Sequence, residues 1–127
     1  MKIVKIDNVA VGTWHRDCEL ISLVYQLSDF QLEFEKDSDS KKWKVLFKSA
    51  VSYKVTSEEF IGVGVLAKLP NDGSFFEVKD SSWVNEITDG DQSLKLKHFI
   101  FCFYEEIIEV LAEELSFRKT DRSAPNI

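Results

Sequence analysis

The sequence has 127 residues, with 22 acidic and 16 basic side chains and a net charge of −6 at pH 7. That length corresponds to one domain and is sufficient to bury a hydrophobic core without a metal or a disulfide. The acidic balance argues against nucleic acid or an anionic membrane surface as a partner, because both attract basic proteins. It favours a basic protein as the partner.

The first half of the chain predicts mostly β-strands. Ten Phe, three Trp and three Tyr favour strands over helices. Residues 2–7 predict a short strand, whereas residues 18–27 are apolar without a clean period and fit either a buried strand or a short helix. Residues 30–35 and 42–48 alternate apolar and polar side chains on either side of a polar turn, which predicts an antiparallel hairpin with an aromatic inner face. Residues 51–55 continue the alternation as a third strand.

A glycine-bearing apolar stretch and a short helix are predicted in the middle of the chain. Residues 61–69 fit a flexible strand or a bend, and residues 75–78 fit a short strand. Residues 80–87 predict a short helix with Asp80 or Ser81 as its N-cap. A side-chain oxygen at that position accepts a hydrogen bond from the first turn of the helix.

Residues 94–104 predict the central strand of a sheet. Phe99, Phe101 and Phe103 point to one face, because side chains alternate along a strand. The opposite face carries His98, Ile100, Cys102 and Tyr104. Since both faces are largely apolar, we expect the strand to be covered on both sides.

The segment 105–117 fits two structures. Its good helix formers and the spacing of its apolar residues favour a helix. The abrupt end of the preceding strand favours instead a tight turn at Glu105 and Glu106, followed by a returning strand. In that strand, Glu109 and Glu113 face outward.

The chain is expected to form a single domain over residues 1–118, followed by a polar tail at 119–127. Residues 1–7 are interrupted by charges and lack the apolar core of a signal peptide, and no run of 18 apolar residues occurs. We therefore expect a cytoplasmic location and no membrane span.

Known catalytic and metal-binding motifs are not found in the sequence. Cys18 and Cys102 fit no metal or redox spacing, although a disulfide between them stays open. His15 and His98 have no second ligand at a suitable spacing. His98 is expected to be a core residue bonded to the backbone or to a neighbouring carboxylate, since a general base would need a nucleophile and an orienting group that the sequence does not show. We expect no enzyme, cofactor or metal, with an enzyme centred on His98 as a minor alternative.

The most unusual feature of the sequence is an acidic block near its C-terminus. Five glutamates and no basic residue fall within ten positions. They are Glu105, Glu106, Glu109, Glu113 and Glu114. Such a block fits either a solvated face or an anionic patch that attracts a cationic partner. These five glutamates are the candidate partner-binding residues.

Two stretches of the chain resemble a pattern in small bacterial proteins. The first is residues 47–58 (Phe-x-x-Ala-Val-Ser-Tyr-x-x-Thr-Ser-Glu), and the second combines residues 82–84, 96–100 and 104–112. Over about residues 43–115 the chain is similar to immunity-type proteins found beside polymorphic or contact-dependent growth inhibition toxins. The resemblance implies a protein that binds one toxin domain, often a nuclease, and blocks its active site. It also implies a strand after the turn at Glu105.

These observations together predict a mainly antiparallel β fold, either a curved sheet or a sandwich, with one or two short helices. The alternative is an α+β fold with residues 105–117 helical. The predicted function is that of an immunity protein, which binds a cognate basic toxin domain and occludes its active site through the five glutamates. The alternative function is a small-ligand binding or regulatory domain with an aromatic pocket on the sheet.

Overall fold

Nine β-strands form two antiparallel sheets in the computed structural model, which describes residues 1–6, 18–36, 42–70 and 73–120. In chain order the strands are β1 (Lys2–Lys5), β2 (Cys18–Gln26), β3 (Asp29–Lys36), β4 (Lys42–Lys48), β5 (Ser52–Ser57), β6 (Phe75–Lys79), β7 (Lys97–Cys102), β8 (Glu106–Ala112) and β9 (Glu114–Thr120). A single short α-helix in this described part, α1 (Ser82–Thr88), follows β6, and 3-10 turns cover Glu58–Phe60 and Gly64–Lys68. The predicted mainly antiparallel β fold is confirmed.

One sheet has five strands in the order β1-β6-β7-β8-β5, and the other has four in the order β2-β3-β4-β9. Aromatic side chains join the facing surfaces of the two sheets, with ring centroids 5.3 Å apart for Phe34 and Phe75 and 5.4 Å apart for Phe47 and Phe101. The sheets therefore pack as a sandwich around an aromatic core. The alternation that predicted the hairpin of β3 and β4 supplies the four-stranded half of this core.

The central strands β7 and β8 of the five-stranded sheet are buried on both faces. A second apolar cluster covers the outer surface of this sheet, where Ile100, Cys102 and Ile107 pack with Leu66 from the second 3-10 turn. The central position of β7 is thus confirmed, and Cys18 and Cys102 belong to different clusters. No helix within the described ranges is long and apolar enough to cross a membrane.

The segment 105–117 is not helical. After β7 the chain turns tightly, with the Phe103 amide donating to the Glu106 carbonyl at 2.8 Å, and returns as β8. Six of the seven residues of β8 are buried, so packing between two layers outweighs the helix propensity of the sequence. The chain then crosses to the other sheet and continues as β9 to Thr120, into the predicted tail, of which residues 121–127 lie outside the described residues.

Two other ambiguous segments are resolved. Residues 18–26 form a strand, and the stretch at 61–69 contains the 3-10 turn that begins at Gly64, whose φ of +59° suits glycine. The predicted cap of α1 is confirmed, because Ser81 Oγ accepts the Val84 amide at 3.2 Å. His15 lies outside the described residues.

Candidate functional site

The five candidate glutamates do not share one surface. Glu105 and Glu106 lie at the turn between β7 and β8, whereas Glu113 and Glu114 lie at the opposite end of β8. Six residue steps separate the two ends of β8, which corresponds to about 20 Å along an extended strand. The predicted patch is therefore divided between two ends of the sandwich.

Glu109 is buried, and the expectation that it faces solvent is wrong. Its side chain does point to the face opposite Ile108 and Val110, as the alternation along β8 predicts. However, the segment around the second 3-10 turn lies over that face and His98 contacts the carboxylate, so Glu109 is only 4% exposed. Glu109 is therefore removed from the set of partner-binding candidates, while Glu113 is exposed as predicted.

A cluster of carboxylates surrounds the turn between β7 and β8. Tyr104 is 60% exposed at this turn, and two shallow depressions of about 360 and 530 Å³ meet at Tyr104, Glu105 and Glu106. The remaining acidic residues that line them come from β2 and from the 3-10 turn after β5. We call this cluster the acidic end, and it consists of Glu19, Glu58, Glu59, Glu105, Glu106 and Tyr104. Among the described side chains, no basic residue lines either depression.

Backbone hydrogen bonds hold the acidic end in place. The Tyr104 amide donates to the Cys18 carbonyl at 3.0 Å, which ties the turn to β2. The Glu58 amide donates to the Glu105 carbonyl at 2.8 Å, which ties it to the end of β5. Because both sheets anchor the turn, its carboxylates are presented on a fixed backbone, which lowers the entropy lost when a partner binds.

The electrostatic environment at the acidic end is repulsive. Burial raises the pKa of Glu106 above its ordinary value, and the neighbouring charges of Glu105 and Glu19 raise it further. A like charge disfavours ionisation, whereas a nearby cation would favour it. A cationic group from a partner would therefore relieve this repulsion on binding.

The opposite end of β8 has a different environment. The Glu113 amide donates to the Lys48 carbonyl at 2.9 Å, and the Glu114 carboxylate lies 3.5 Å from the Lys48 ammonium. This exposed ion pair already provides Glu114 with a cation. Of the two halves of the predicted patch, the half at Glu105 and Glu106 is thus the better anionic surface.

A second polar group lies buried on the outer side of the five-stranded sheet. Ser81 Oγ is 2.7 Å from His98 Nδ1, and His98 Nε2 is 2.9 Å from Glu109 Oε1. All three residues are less than 5% exposed, and they come from the cap of α1, from β7 and from β8. The expectation that His98 bonds a neighbouring carboxylate is confirmed.

Two further side chains enclose this buried group. The Trp83 ring meets the His98 ring edge-on, with centroids 5.2 Å apart. The Lys54 ammonium lies 4.0 Å from the centroid of the Trp83 ring, which is a cation–π contact. Helix α1 is therefore attached to the sheet through Ser81 and through Trp83.

The sequence contained part of the signal for this buried group. Ser81 was a predicted cap, but the predicted turn at Glu105 and Glu106 would place Glu109 opposite Cys102. The structure turns one residue earlier and pairs Ile100 with Glu109, so that Glu109 lies one diagonal step from His98. The approach of Ser81 to His98 depends on how α1 packs on the sheet, which the sequence pattern does not specify.

Comparison with known proteins found no matching family model, no matching curated protein and no matching solved structure. The described residues contain no group of three or more His, Cys, Asp or Glu side chains arranged to hold a metal ion. The functional argument therefore rests on the two sites described above.

Proposed function

We propose that this chain is an immunity-type protein of the cytoplasm, which binds a cognate basic toxin domain through the acidic end and occludes the toxin's active site. The observation that carries the proposal is the cluster of five carboxylates around the exposed Tyr104, with no basic side chain among the described residues lining it. The resemblance to immunity proteins encoded beside toxins supports the same function.

The acidic end has the chemistry that such an interface requires. Carboxylates on a fixed turn pair with the Lys, Arg or His side chains that a nuclease uses to hold and cleave phosphodiesters. A complementary charge pattern increases the association rate, and this increase weakens with salt. Tyr104 supplies a rigid aromatic anchor at the centre of the charges, and tyrosine is enriched among the residues that dominate binding energy.

The geometry favours this proposal over a ligand pocket built from aromatic residues. The phenylalanines that motivated the ligand alternative contact one another inside the sandwich. For example, the ring centroids of Phe75 and Phe101 are 4.4 Å apart, and both residues are at most 2% exposed. The surfaces of these two rings are therefore packed in the core.

The proposal is tested with charge reversals at the two ends of β8. The tagged chain is compared with Glu105→Lys/Glu106→Lys and with the matched control Glu113→Lys/Glu114→Lys, which changes the net charge equally. Each is used to capture partners from the source cell, and the complexes are weighed by native mass spectrometry. The captured domain is then expressed alone or with each variant, and growth is recorded.

We expect wild type and the control to bind one basic domain at 1:1 stoichiometry and to restore growth. The Glu105→Lys/Glu106→Lys variant is expected to lose both properties, and the wild-type complex to weaken as salt is raised. Equal binding and rescue by both variants would exclude the acidic end as the interface. A chain that emerges alone would remove the toxin partner from the proposal.

A further inference from the structure

We propose that Ser81 is an activated nucleophile that accepts an acyl group from a small ester, with His98 as its general base and Glu109 as the residue that positions His98. This inference concerns the outer face of the five-stranded sheet and is independent of the acidic end. It assigns a reactive site to a group of residues that toxin binding does not use.

The first support is the connected geometry of the three side chains. A hydroxyl nucleophile becomes reactive when an adjacent base accepts its proton and a third group orients the base. Ser81 Oγ is 2.7 Å from one ring nitrogen of His98, and the other ring nitrogen is 2.9 Å from Glu109. Both distances lie within the range that proton transfer and orientation require.

The second support is the direction of the hydrogen bonds. An ionised carboxylate only accepts hydrogen bonds, so Glu109 assigns the ring proton of neutral His98 to Nε2. His98 Nδ1 then accepts the Ser81 hydroxyl proton, which is the direction that general-base catalysis needs. Ser81 Oγ also accepts the Val84 amide at 3.2 Å. A hydroxyl oxygen has two lone pairs, so one remains available for attack.

The third support is the backbone that carries Ser81. Strand β6 ends at Lys79, Asp80 follows with a φ of +55°, and Ser81 then caps α1. A left-handed conformation is uncommon for a residue with a side chain, and strained backbone is concentrated at functional sites. This strand–turn–helix arrangement places the hydroxyl at the bend between two regular elements, with the left-handed residue Asp80 directly before Ser81, whose own backbone is extended.

The size of the acceptor site limits the substrate. Ser81 lines a surface depression of about 250 Å³ between the end of β6, α1 and the start of β7. Since Ser81 itself is only 4% exposed, a short acyl group such as acetyl fits the geometry better than a branched or aromatic one.

The reaction proceeds in two balanced steps. Ser81 Oγ attacks the ester carbonyl carbon while its proton passes to His98 Nδ1, and the resulting imidazolium lies beside the Glu109 carboxylate. The carbon–oxygen bond to the leaving alcohol then breaks, and that alcohol takes the proton from Nδ1. Water, deprotonated in turn by Nδ1, attacks the acyl-serine, releases the carboxylic acid and returns the proton to Ser81 Oγ.

The test uses p-nitrophenyl acetate as the probe and peptide mapping by mass spectrometry as the readout. The matched control is Ser82→Ala, which alters the adjacent exposed serine. We expect an acetyl ester on Ser81 in wild type and in Ser82→Ala but not in Ser81→Ala. Mapping the wild-type chain locates the modified residue even where a variant fails to fold.

The pH dependence tests the roles of His98 and Glu109. The rate of Ser81 acetylation is measured as a function of pH in the wild type and in the variants. Glu109→Gln removes the negative charge beside the ring, so we expect its pH profile to differ from that of wild type and its rate to fall at least tenfold. His98→Gln is expected to lower the rate at least a hundredfold, within the range of general-base catalysis.

Two results would overturn the proposal. One is a folded wild-type chain in which Ser81 stays unmodified while surface lysines are acetylated. The other is Ser81 acetylation with the same rate and pH profile in Glu109→Gln and His98→Gln as in wild type.

Discussion

His98 Nε2 lies 2.9 Å from Glu109 Oε1, and both side chains are about 95% buried on neighbouring strands of the five-stranded sheet. Burial of a polar group in such a place lowers the unfolding free energy unless the group is hydrogen-bonded. Each residue therefore depends on the other, and Ser81 satisfies the remaining ring nitrogen. The stability of this face of the sandwich is thus coupled to a chain of three side chains from three elements.

Replacing Glu109 is expected to destabilise the protein far more than replacing an exposed glutamate of the same segment. Glu109→Leu leaves the His98 Nε2 proton without its acceptor, which costs about 1–3 kcal/mol of unfolding free energy. Glu113→Leu, at an exposed position, is expected to change it by about 0.5 kcal/mol or less. Urea unfolding at pH 7 measures both changes. Equal effects would show that the buried hydrogen bond makes no net contribution to the unfolding free energy.

Replacing Ser81 is expected to loosen α1. Ser81→Ala removes the cap of the helix, which costs about 0.5–2 kcal/mol, and also removes the partner of His98 Nδ1. Ser82→Ala is the control, because it lies one residue further on, is exposed and does not cap the helix. Thermal unfolding of the two variants is expected to differ by several degrees, and a Ser81→Ala variant as stable as Ser82→Ala would contradict the capping role.

The strands that the sequence predicted best are those with unambiguous alternation. In β7, Phe99 and Phe101 enter the sandwich while His98 and Ile100 enter the outer layer, and the hairpin of β3 and β4 shows the same period. The structure of segment 105–117 was harder to predict, because its residues are good helix formers. A period of two was present in β9, where Leu115 and Phe117 pack on the core, but it was obscured by the glutamates before it.

The candidate site was predicted only in part, because exposure depends on distant segments. The strand alternation correctly gave the face of the sheet to which Glu109 points. It could not give the cover over that face, which comes from α1 and from the turn around Leu66. Likewise, Glu19 and Glu58 join Glu105 at the acidic end through sheet topology, which has no local signal in the sequence.

Truncation of a central phenylalanine is expected to show how much the aromatic core contributes to the unfolding free energy. Phe101 is fully buried, and its ring contacts Phe75 on the neighbouring strand β6 and Phe47 on the facing sheet. Phe101→Ala is expected to lower the unfolding free energy by about 3–5 kcal/mol, the usual cost of such a cavity. Phe60→Ala, at a residue that is 53% exposed, is the control and is expected to have a small effect. Guanidinium unfolding measures both.

The burial of Glu106 and the like charges around it predict that the protein becomes more stable when a fall in pH removes the charge of Glu106. Because the pKa of Glu106 is raised in the folded state, first by burial and then by Glu105 and Glu19, the folded chain binds a proton more readily than the unfolded chain. The ionised form therefore lowers stability at neutral pH, and this penalty disappears as the pH falls through the raised folded pKa toward the ordinary value of the unfolded chain. Glu106→Gln removes the penalty at every pH.

We expect Glu106→Gln to be slightly more stable than wild type at pH 7, by about 0.5 kcal/mol or less, because Glu106 is only partly buried. The difference is expected to shrink as the pH is lowered, because wild-type Glu106 becomes neutral too. Glu113→Gln, at an exposed position at the other end of β8, is the control for the loss of one negative charge. Urea unfolding from pH 7 to pH 4 follows both differences. A Glu106→Gln variant that is less stable at pH 7, or whose advantage grows as the pH falls, would contradict a repulsive acidic end.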